Sequence, residues 1–424
     1  MREPMTAQRS NGSARPGVTA YVTCSRSSPP RPDRRGGRTD RLPSGAGRRA
    51  CLPYAVLAAL LLFVLAGCVP ASAPRTLKVG LVAPFSGRDA ALGYNMLVGA
   101  KLALKDWNDR GGAGGSYIEL VAQDDRNDPE LGAMQARKMA LDPQVVGVAG
   151  HPSRESALAA APIYRDAGLP AMLAGPALEA EQAGGPPVLL MGPTQRDVAE
   201  RAVRFAVAQG ARRLAVIVRV EDPGAARGVP PADASLAGMV ATGARDAGLE
   251  VPAGGVIAVI PGLEDVLAFK LRDLRVDMVF YDGSYVEGAA VLSAMRSRGL
   301  SAIFLGGPGV GYPDFLKLAG QAAEGAYYFS TGPSPAGLDT ARPFVDAFRA
   351  AAGTDPWPQS LMAYQAMNGM LDTLHRGGSS GQPPSRAALR QSLAAGQFED
   401  LTGGRGHIYR VERLSWPGSE VSVP

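Results

Sequence analysis

The 424 residues exceed what one compact core usually organises, because domains run about 50 to 250 residues, so two lobes are expected. The formal charge of +5 comes from the first 67 residues, which carry eleven Arg and no Lys against three acids, leaving 33 basic and 36 acidic residues in the rest. A nearly neutral body with no basic, aromatic-interleaved stripe argues against nucleic acid as a partner. The three cysteines, Cys24, Cys51 and Cys68, all lie in the first 68 residues, which rules out a disulfide framework or a zinc site in the body.

Residues 1–47, rich in Arg, Pro, Gly and Ser, cannot bury a core and are expected to be disordered. Their length is unusual for a charged leader and points to a translation start downstream of Met1. Leu52–Gly67 is an unbroken apolar run behind Arg48 and Arg49, shorter than the roughly 20 residues a membrane-spanning helix needs. It fits the charged and apolar regions of a secretory signal. The run ends Leu65-Ala66-Gly67-Cys68, which resembles the lipobox of bacterial lipoproteins. That resemblance implies cleavage before Cys68, diacylglycerol on its thiol, and an extracytoplasmic protein anchored to the cell membrane. Residues 68–75 then form a tether.

The body alternates strand and helix patterns. Strand Leu77–Val82 precedes helix Leu92–Trp107, closed by Gly111-Gly112. Strand Tyr117–Ala122 leads through Asp128-Pro129, an N-cap followed by proline at the first helical position, to a helix ending near Leu141. Strand Val145–Ala149, helix Ser153–Ala167, a short strand near Leu169 and strand Val188–Met191 follow. A second series starts with a Thr194-capped helix to Gln209 and strand Leu214–Val220. A Pro/Gly-rich loop and a helix to Ala247 come next. It continues with strand Val256–Ile260, helix Glu264–Leu274, strand Asp277–Tyr281, helix Glu287–Arg298 and strand Ala302–Leu305. The tail reads as strand Ala326–Ser330, helices near Asp339–Ala352, Gln359–Leu374 and Ser385–Ala395, then a strand-like His407–Val411. Strands alternating with helices at this spacing predict an α/β fold of two Rossmann-like lobes, each a parallel sheet flanked by helices. The helical tail returns to cap a lobe that already exists.

No recognised catalytic set is present. His151, His375 and His407 stand far apart and have no metal-binding spacing, so no metal and no cofactor is expected. Gly306-Gly307-Pro308-Gly309-Val310-Gly311 has the wrong glycine spacing for a dinucleotide loop, and its proline lacks an amide donor; it reads as a loop near a cleft. Gly377-Gly378-Ser379-Ser380-Gly381 follows a helix, whereas a nucleophile elbow joins a strand to a helix. The acidic stretch Gln123–Pro129 lacks the register of a calcium loop and reads as a strand-to-helix turn capped by Asp128.

Several short stretches, taken in order, resemble the leucine/isoleucine/valine-binding family of periplasmic solute-binding proteins. They are Leu77–Gly87, Gly99–Ala103, Asn108–Gly112, Asp124-Asp125 to Asp128-Pro129, Gly150-His151, Ala161–Tyr164, Phe304–Gly307 and Ala322–Gly325. The resemblance covers roughly residues 75–411. It implies a non-enzymatic receptor that presents a small solute to an ABC permease, with ligand held between two lobes at the carboxyl ends of the strands. A sensor of the same fold without transport, or an extracytoplasmic enzyme with an unrecognised site, are the alternatives.

The resemblance also implies three interlobe crossings, near Gly192, Thr331 and Gly403. Lobe 1 is then 76–192 with 331–402, and lobe 2 is 193–330 with 403–424. Where amino-acid-binding relatives present a serine to the ligand carboxylate, this chain has Arg154 after Ser153, able to pair with an anion at a helix N-terminus. Other matched positions depart from the pattern: Ala177 for a threonine, a site near Pro223 for a tyrosine, Pro308 for the acid that meets the ligand ammonium, and Ser284 for the first of two tyrosines, with Tyr285 retained. Asp282 or Glu221 can substitute as the anion, and Leu92 either walls the site or packs in the core. The implied partners are an amino acid or small organic acid, an inner-membrane ABC permease and a lipid anchor.

Overall fold

The computed structural model describes residues 75–174, 187–219, 235–379, 385–394, 407–413 and 415–423, all within one compact unit, Ser72–Pro424. Cys68 and the leader, Ala177, Glu221, Pro223 and Gly403 lie outside the described residues.

The first lobe is built from β1 (Arg75–Ala83), α1 (Ala90–Asp109), β2 (Ser116–Asp124), α2 (Pro129–Leu141), β3 (Val145–Gly150), α3 (Arg154–Asp166), β4 (Ala171–Ala174) and β5 (Val188–Met191). The strands form a five-stranded parallel sheet in the order β2-β1-β3-β4-β5. β3 is buried along its whole length, as a strand covered on both faces must be. The starts of the helices follow local chemistry. Asp128 accepts from the Leu131 amide with Pro129 at the first helical position, and Ser153 accepts from the Ser156 amide.

The second lobe comprises α4 (Gln195–Ala208), β6 (Leu214–Arg219), α5 (Leu236–Asp246), β7 (Val256–Val259), α6 (Glu264–Asp273), β8 (Met278–Asp282), α7 (Tyr285–Ser297), β9 (Ile303–Gly306), α8 (Pro313–Ala319) and β10 (Tyr327–Ser330). Thr194 and Asp197 close a reciprocal capping box at the start of α4. The tail adds α9 (Arg342–Ala352), α10 (Pro358–Ser379), α11 (Arg386–Ala394), β11 (His407–Glu412) and β12 (Ser415–Val421). The second sheet runs β12-β11-β10-β9-β8-β6-β7, parallel from β7 to β10 and antiparallel across β10-β11-β12.

Each sheet is packed on both faces. In the first lobe α2 and α3 cover one side through Ala136, Met139, Ala160 and Tyr164. On the other side α1 shares a core with α10 and α11, through Met96, Ala100, Met367, Met370 and Leu389. In the second lobe α4 and α5 cover one face, and α6, α7 and α8 the other. The helical tail therefore returns to the first lobe, while β11 and β12 extend the second.

Three elements differ from the sequence expectation. The strand expected near Leu169 begins at Ala171, because Gly168, at φ 60°, closes α3 and Leu169 is tucked back with its amide on the Tyr164 carbonyl. α8 spans 7 residues, too short to show a helical period. β12 contains Pro417-Gly418, which reads as a turn. In the structure this pair sits where the β11-β12 register shifts, and a Cβ on Gly418 would lie 2.2 Å from the Arg410 carbonyl oxygen.

The join between α1 and α10 is set by a single missing side chain. A Cβ on Gly99 would stand 2.2 Å from the Ser360 carbonyl oxygen. Gly99→Ala, which in an exposed helix would stabilise by up to about 1 kcal/mol, is expected here to destabilise by roughly 2 kcal/mol or more. Denaturant titration of the two proteins checks the sign.

Candidate functional site

Parallel pairing sends the carboxyl ends of β1, β2 and β3 to one edge, and the loops that follow carry the polar side chains of the first lobe. After β1, the amides of Phe85 and Ser86 and the Ser86 hydroxyl all donate to the Asp124 carboxylate at the end of β2. Burial works against this charge, but the Ser86 hydroxyl and the amides of Phe85, Arg126 and Ser86 outweigh it and hold the carboxyl below its ordinary value. Asn127 in turn donates to Asp89 at 2.8 Å, so the loops after β1 and β2 are tied together.

Beneath them lies a closed cluster of four side chains, Asp125, His151, Ser156 and Tyr164, each fully buried. Ser156 Oγ donates to Asp125 Oδ2 at 2.6 Å, and His151 Nδ1 lies 3.1 Å from that oxygen and 2.9 Å from Ser156 Oγ. His151 Nε2 lies 2.7 Å from the Tyr164 hydroxyl. Serine, histidine and aspartate in one place suggest a hydrolytic triad, but the geometry is wrong for one. Serine and aspartate share Nδ1, Nε2 faces a tyrosine, and no atom of the set reaches solvent, whereas a triad needs serine and aspartate on opposite ring nitrogens. Among the described residues no group of three or more His, Cys, Asp or Glu side chains is arranged to hold a metal ion.

Above the cluster Ser153 caps α3, and Arg154 is its first helical residue. Arg154 is half-buried, and its Nε is shut off from solvent with no hydrogen-bond partner. Facing it from the second lobe is Asp282, the last residue of β8. Its carboxyl is pushed up to about 6 by burial first and then by the negative charge of Glu155, against the pull of Arg154 and the Ala237 amide in the first turn of α5. Residues 154 and 155 of the first lobe are thus within electrostatic reach of residue 282 of the second.

The lobes also touch directly beside this point. Arg88, in the loop after β1, has Nη1 3.2 Å from Glu287 Oε1 on α7, and the Tyr285 hydroxyl donates to the Arg88 carbonyl at 2.9 Å. The Ser284 hydroxyl donates to the other Glu287 oxygen. Tyr285 meets Tyr312 edge-on at 5.7 Å, and Tyr312 lies 5.6 Å from Trp357 of the first lobe.

The structure thus brings Ser153, Arg154, Asp282 and Tyr285 to the seam where the two lobes meet. Pro308 stands half-buried in a loop whose Gly307 amide donates to the Tyr281 carbonyl, next to Asp282. Leu92, at 4% exposure, packs in the first lobe's core with Met96 and Ala100. Sequence reasoning passed over Arg88, Glu287 and Tyr312, which have no local signature, and the buried partners of His151. The pair Asp124-Asp125 was the available signal for those partners, since consecutive acids at a strand end need donors.

Two α/β sheets whose carboxyl-end loops meet through polar contacts define a two-lobed protein of the type I periplasmic binding fold. The profile described as periplasmic binding protein matches residues 76–412. The chain therefore belongs to the periplasmic binding protein family. A leucine-, isoleucine-, valine-, threonine- and alanine-binding protein of Pseudomonas aeruginosa is 28% identical over 347 residues, covering 79% of this chain and 86% of that protein. Among solved structures, a leucine-binding protein from Thermotoga maritima aligns with a TM-score of 0.69 at 20% identity, over 82% of this chain and 98% of that one. A solute-binding protein of an ABC transporter from Rhodopseudomonas palustris, in complex with 3,4-dihydroxybenzoic acid, aligns with a TM-score of 0.59 at 21% identity, over 74% and 84% of the two chains.

The Asp282 environment predicts a pH signature. The folded carboxyl keeps its proton up to about pH 6, whereas the unfolded one releases it near pH 4. Between those values the folded state binds more protons, so stability falls as pH rises through the window. Asp282→Asn removes that slope. Its melting temperature is expected to exceed that of the parent above pH 6, by the equivalent of about 3 kcal/mol at most, and to converge with it near pH 4. Thermal melts across this range check it.

Proposed function

We propose that this chain is the non-enzymatic receptor of an ABC importer, anchored outside the cytoplasm through Cys68, and that it captures an amino acid or small organic acid between its lobes. On this reading lobe 1 is 76–192 with 331–402 and lobe 2 is 193–330 with 403–424.

The observation that carries the reading is the unpartnered Arg154. A buried guanidinium nitrogen with no acceptor is costly, and a ligand carboxylate supplies the acceptor in the bidentate geometry that guanidinium favours. The first turn of α3 adds its amides and the positive end of its dipole to the same place. Asp282 across the seam, and Glu155 beside Arg154 in the first turn of α3, supply negative charge, which suits an amino group on the same ligand. The ligands named for the relatives, branched-chain and small amino acids and 3,4-dihydroxybenzoic acid, share a carboxylate.

Tyr285 acts as a wall and a clasp, its ring against Tyr312 and its hydroxyl on the Arg88 carbonyl of the opposite lobe. Arg88 and Glu287 hold the same rim by charge. Closure around ligand is then a hinge motion that makes these contacts together. Sequestration, not turnover, is the outcome, since the Ser156–His151–Asp125 set lies buried in an unproductive order.

The full-length protein is expected to show a raised melting temperature with L-leucine, L-alanine or 3,4-dihydroxybenzoate and none with glycerol. Stabilisation should grow with the logarithm of ligand concentration, to about 2.7 kcal/mol at a hundredfold excess over Kd. Arg154→Ala is expected to weaken binding of the carboxylate ligand by roughly 10- to 100-fold, the worth of a hydrogen bond to a charged group, with the ligand-free melting temperature unchanged. An undiminished shift in this variant overturns the assignment, and release of a chemical product from any of these compounds overturns the receptor reading.

A further inference from the structure

The polypeptide between β3 and α3 is three residues long, His151, Pro152 and Ser153, and it reverses the chain to place Arg154 at the cleft. Its conformation is one that a free peptide avoids. Gly150 stands at φ 144°, where a Cβ would fall 2.0 Å from the Val82 carbonyl oxygen. His151 stands at φ 50°, a left-handed position uncommon for any residue with a side chain. Such a turn persists only if its surroundings over-determine it.

The surroundings do so through one buried carboxylate. Asp125 Oδ2 takes the Ser156 hydroxyl and faces His151 Nδ1, and Oδ1 takes the Asn127 amide. Burial, and then the charge of Asp125, raises the Tyr164 hydroxyl well above its ordinary value, so the phenol keeps its proton, 2.7 Å from His151 Nε2. Asp125 Oδ2 at 3.1 Å calls for a donor, which assigns the imidazole proton to Nδ1 and leaves Nε2 to accept from the tyrosine. The proton order is closed: tyrosine to histidine, histidine and serine to aspartate.

The residues so fixed lie on both sides of Arg154, His151 three positions before it and Ser156 two after, with Tyr164 anchoring the ring from the third turn of α3. The His151 amide completes the turn by donating to the Val82 carbonyl at 2.7 Å. Space is equally constrained, since a Cβ on Gly132 of α2 would meet Ser156 Oγ at 2.3 Å.

We infer that Asp125, His151, Ser156 and Tyr164 are positioning residues that hold the turn Gly150–Ser153 in its left-handed form and so set where the Arg154 guanidinium meets a ligand. The inference rests on Arg154 being the anion contact proposed above. It adds that ligand affinity depends on four side chains that cannot touch ligand, and chiefly on the Tyr164 hydroxyl, the only donor to His151 Nε2 among the described contacts.

The test uses Tyr164→Phe, which deletes one hydroxyl and leaves the ring, with Ser156→Ala as a second variant should the first fold poorly. In the ligand-free, full-length protein, hydrogen exchange over residues 150–158 is expected to accelerate about tenfold, while β1 and β4 exchange as in the parent. The dissociation constant for L-leucine or 3,4-dihydroxybenzoate, whichever the parent binds more tightly, is expected to rise about tenfold. In the Arg154→Ala background the same substitution is expected to cost nothing further, because the residue being positioned is gone. Unchanged exchange in the turn, acceleration spread evenly over the first lobe, or losses that simply add in the double variant would each overturn the inference. Binding of neither compound by the parent would count against the anion-contact reading, and the exchange comparison would still decide the positioning role.

Discussion

Parallel strand pairing is the constraint on which this molecule is built. Every strand of such a sheet ends at the same edge, and its backbone crosses back through a helix on one face or the other. In the first lobe that rule delivers the loops of Pro84–Asp89, Asp125–Asp128 and His151–Ser153 to a single rim. In the second it delivers the stretches after Asp282 and Gly306. The cleft is the place where two such rims meet, and its chemistry is decided by a few side chains at strand ends.

What happens at those ends is governed by the treatment of negative charge. Asp124 and Asp125 are adjacent, yet they serve different structures. One gathers the loop after β1 by accepting amides and a hydroxyl, and the other is sealed beneath the α3 turn. Asp282 is a third case. It sits at the first turn of α5, where the Ala237 amide answers part of its charge, and Glu155 of the opposite lobe raises its proton affinity. An anion is thus already resident at a helix start in the second lobe, whereas the α3 start of the first lobe carries Arg154.

Much of the fold was legible in the sequence because its signals are local. Capping at Asp128, Ser153 and Thr194 marks helix starts to the residue, and the all-apolar Val145–Gly150 marks a strand with two covered faces. α8 and β12 were not legible, the first for want of length and the second because Pro417-Gly418 interrupts its alternation. Of the site, Ser153 and Arg154 announced themselves through a helix start following a glycine-punctuated strand. The Arg88–Glu287 pair spans 199 positions, and nothing in either neighbourhood foretells the other. The buried partners of His151 are Asp125, from the loop after β2, and Ser156 and Tyr164, both from α3, and no motif spacing links the aspartate to the other two. Leu92 illustrates the opposite failure, since an apolar residue on the first turn of α1 fits a wall or a core equally well until packing decides.

The seam between the lobes has one further property. Tyr312 packs on the cores of both lobes and lies 5.6 Å from Trp357, whereas Trp107 is sunk in the first lobe and Trp416 is stacked on Tyr328 of the second at 4.7 Å. The three tryptophans of the chain are thereby divided into one at the seam between the lobes and two packed within a single lobe. Were the lobes to part, the surroundings of the indole at 357 would change while those of the other two would not, so intrinsic emission is positioned to report on this seam.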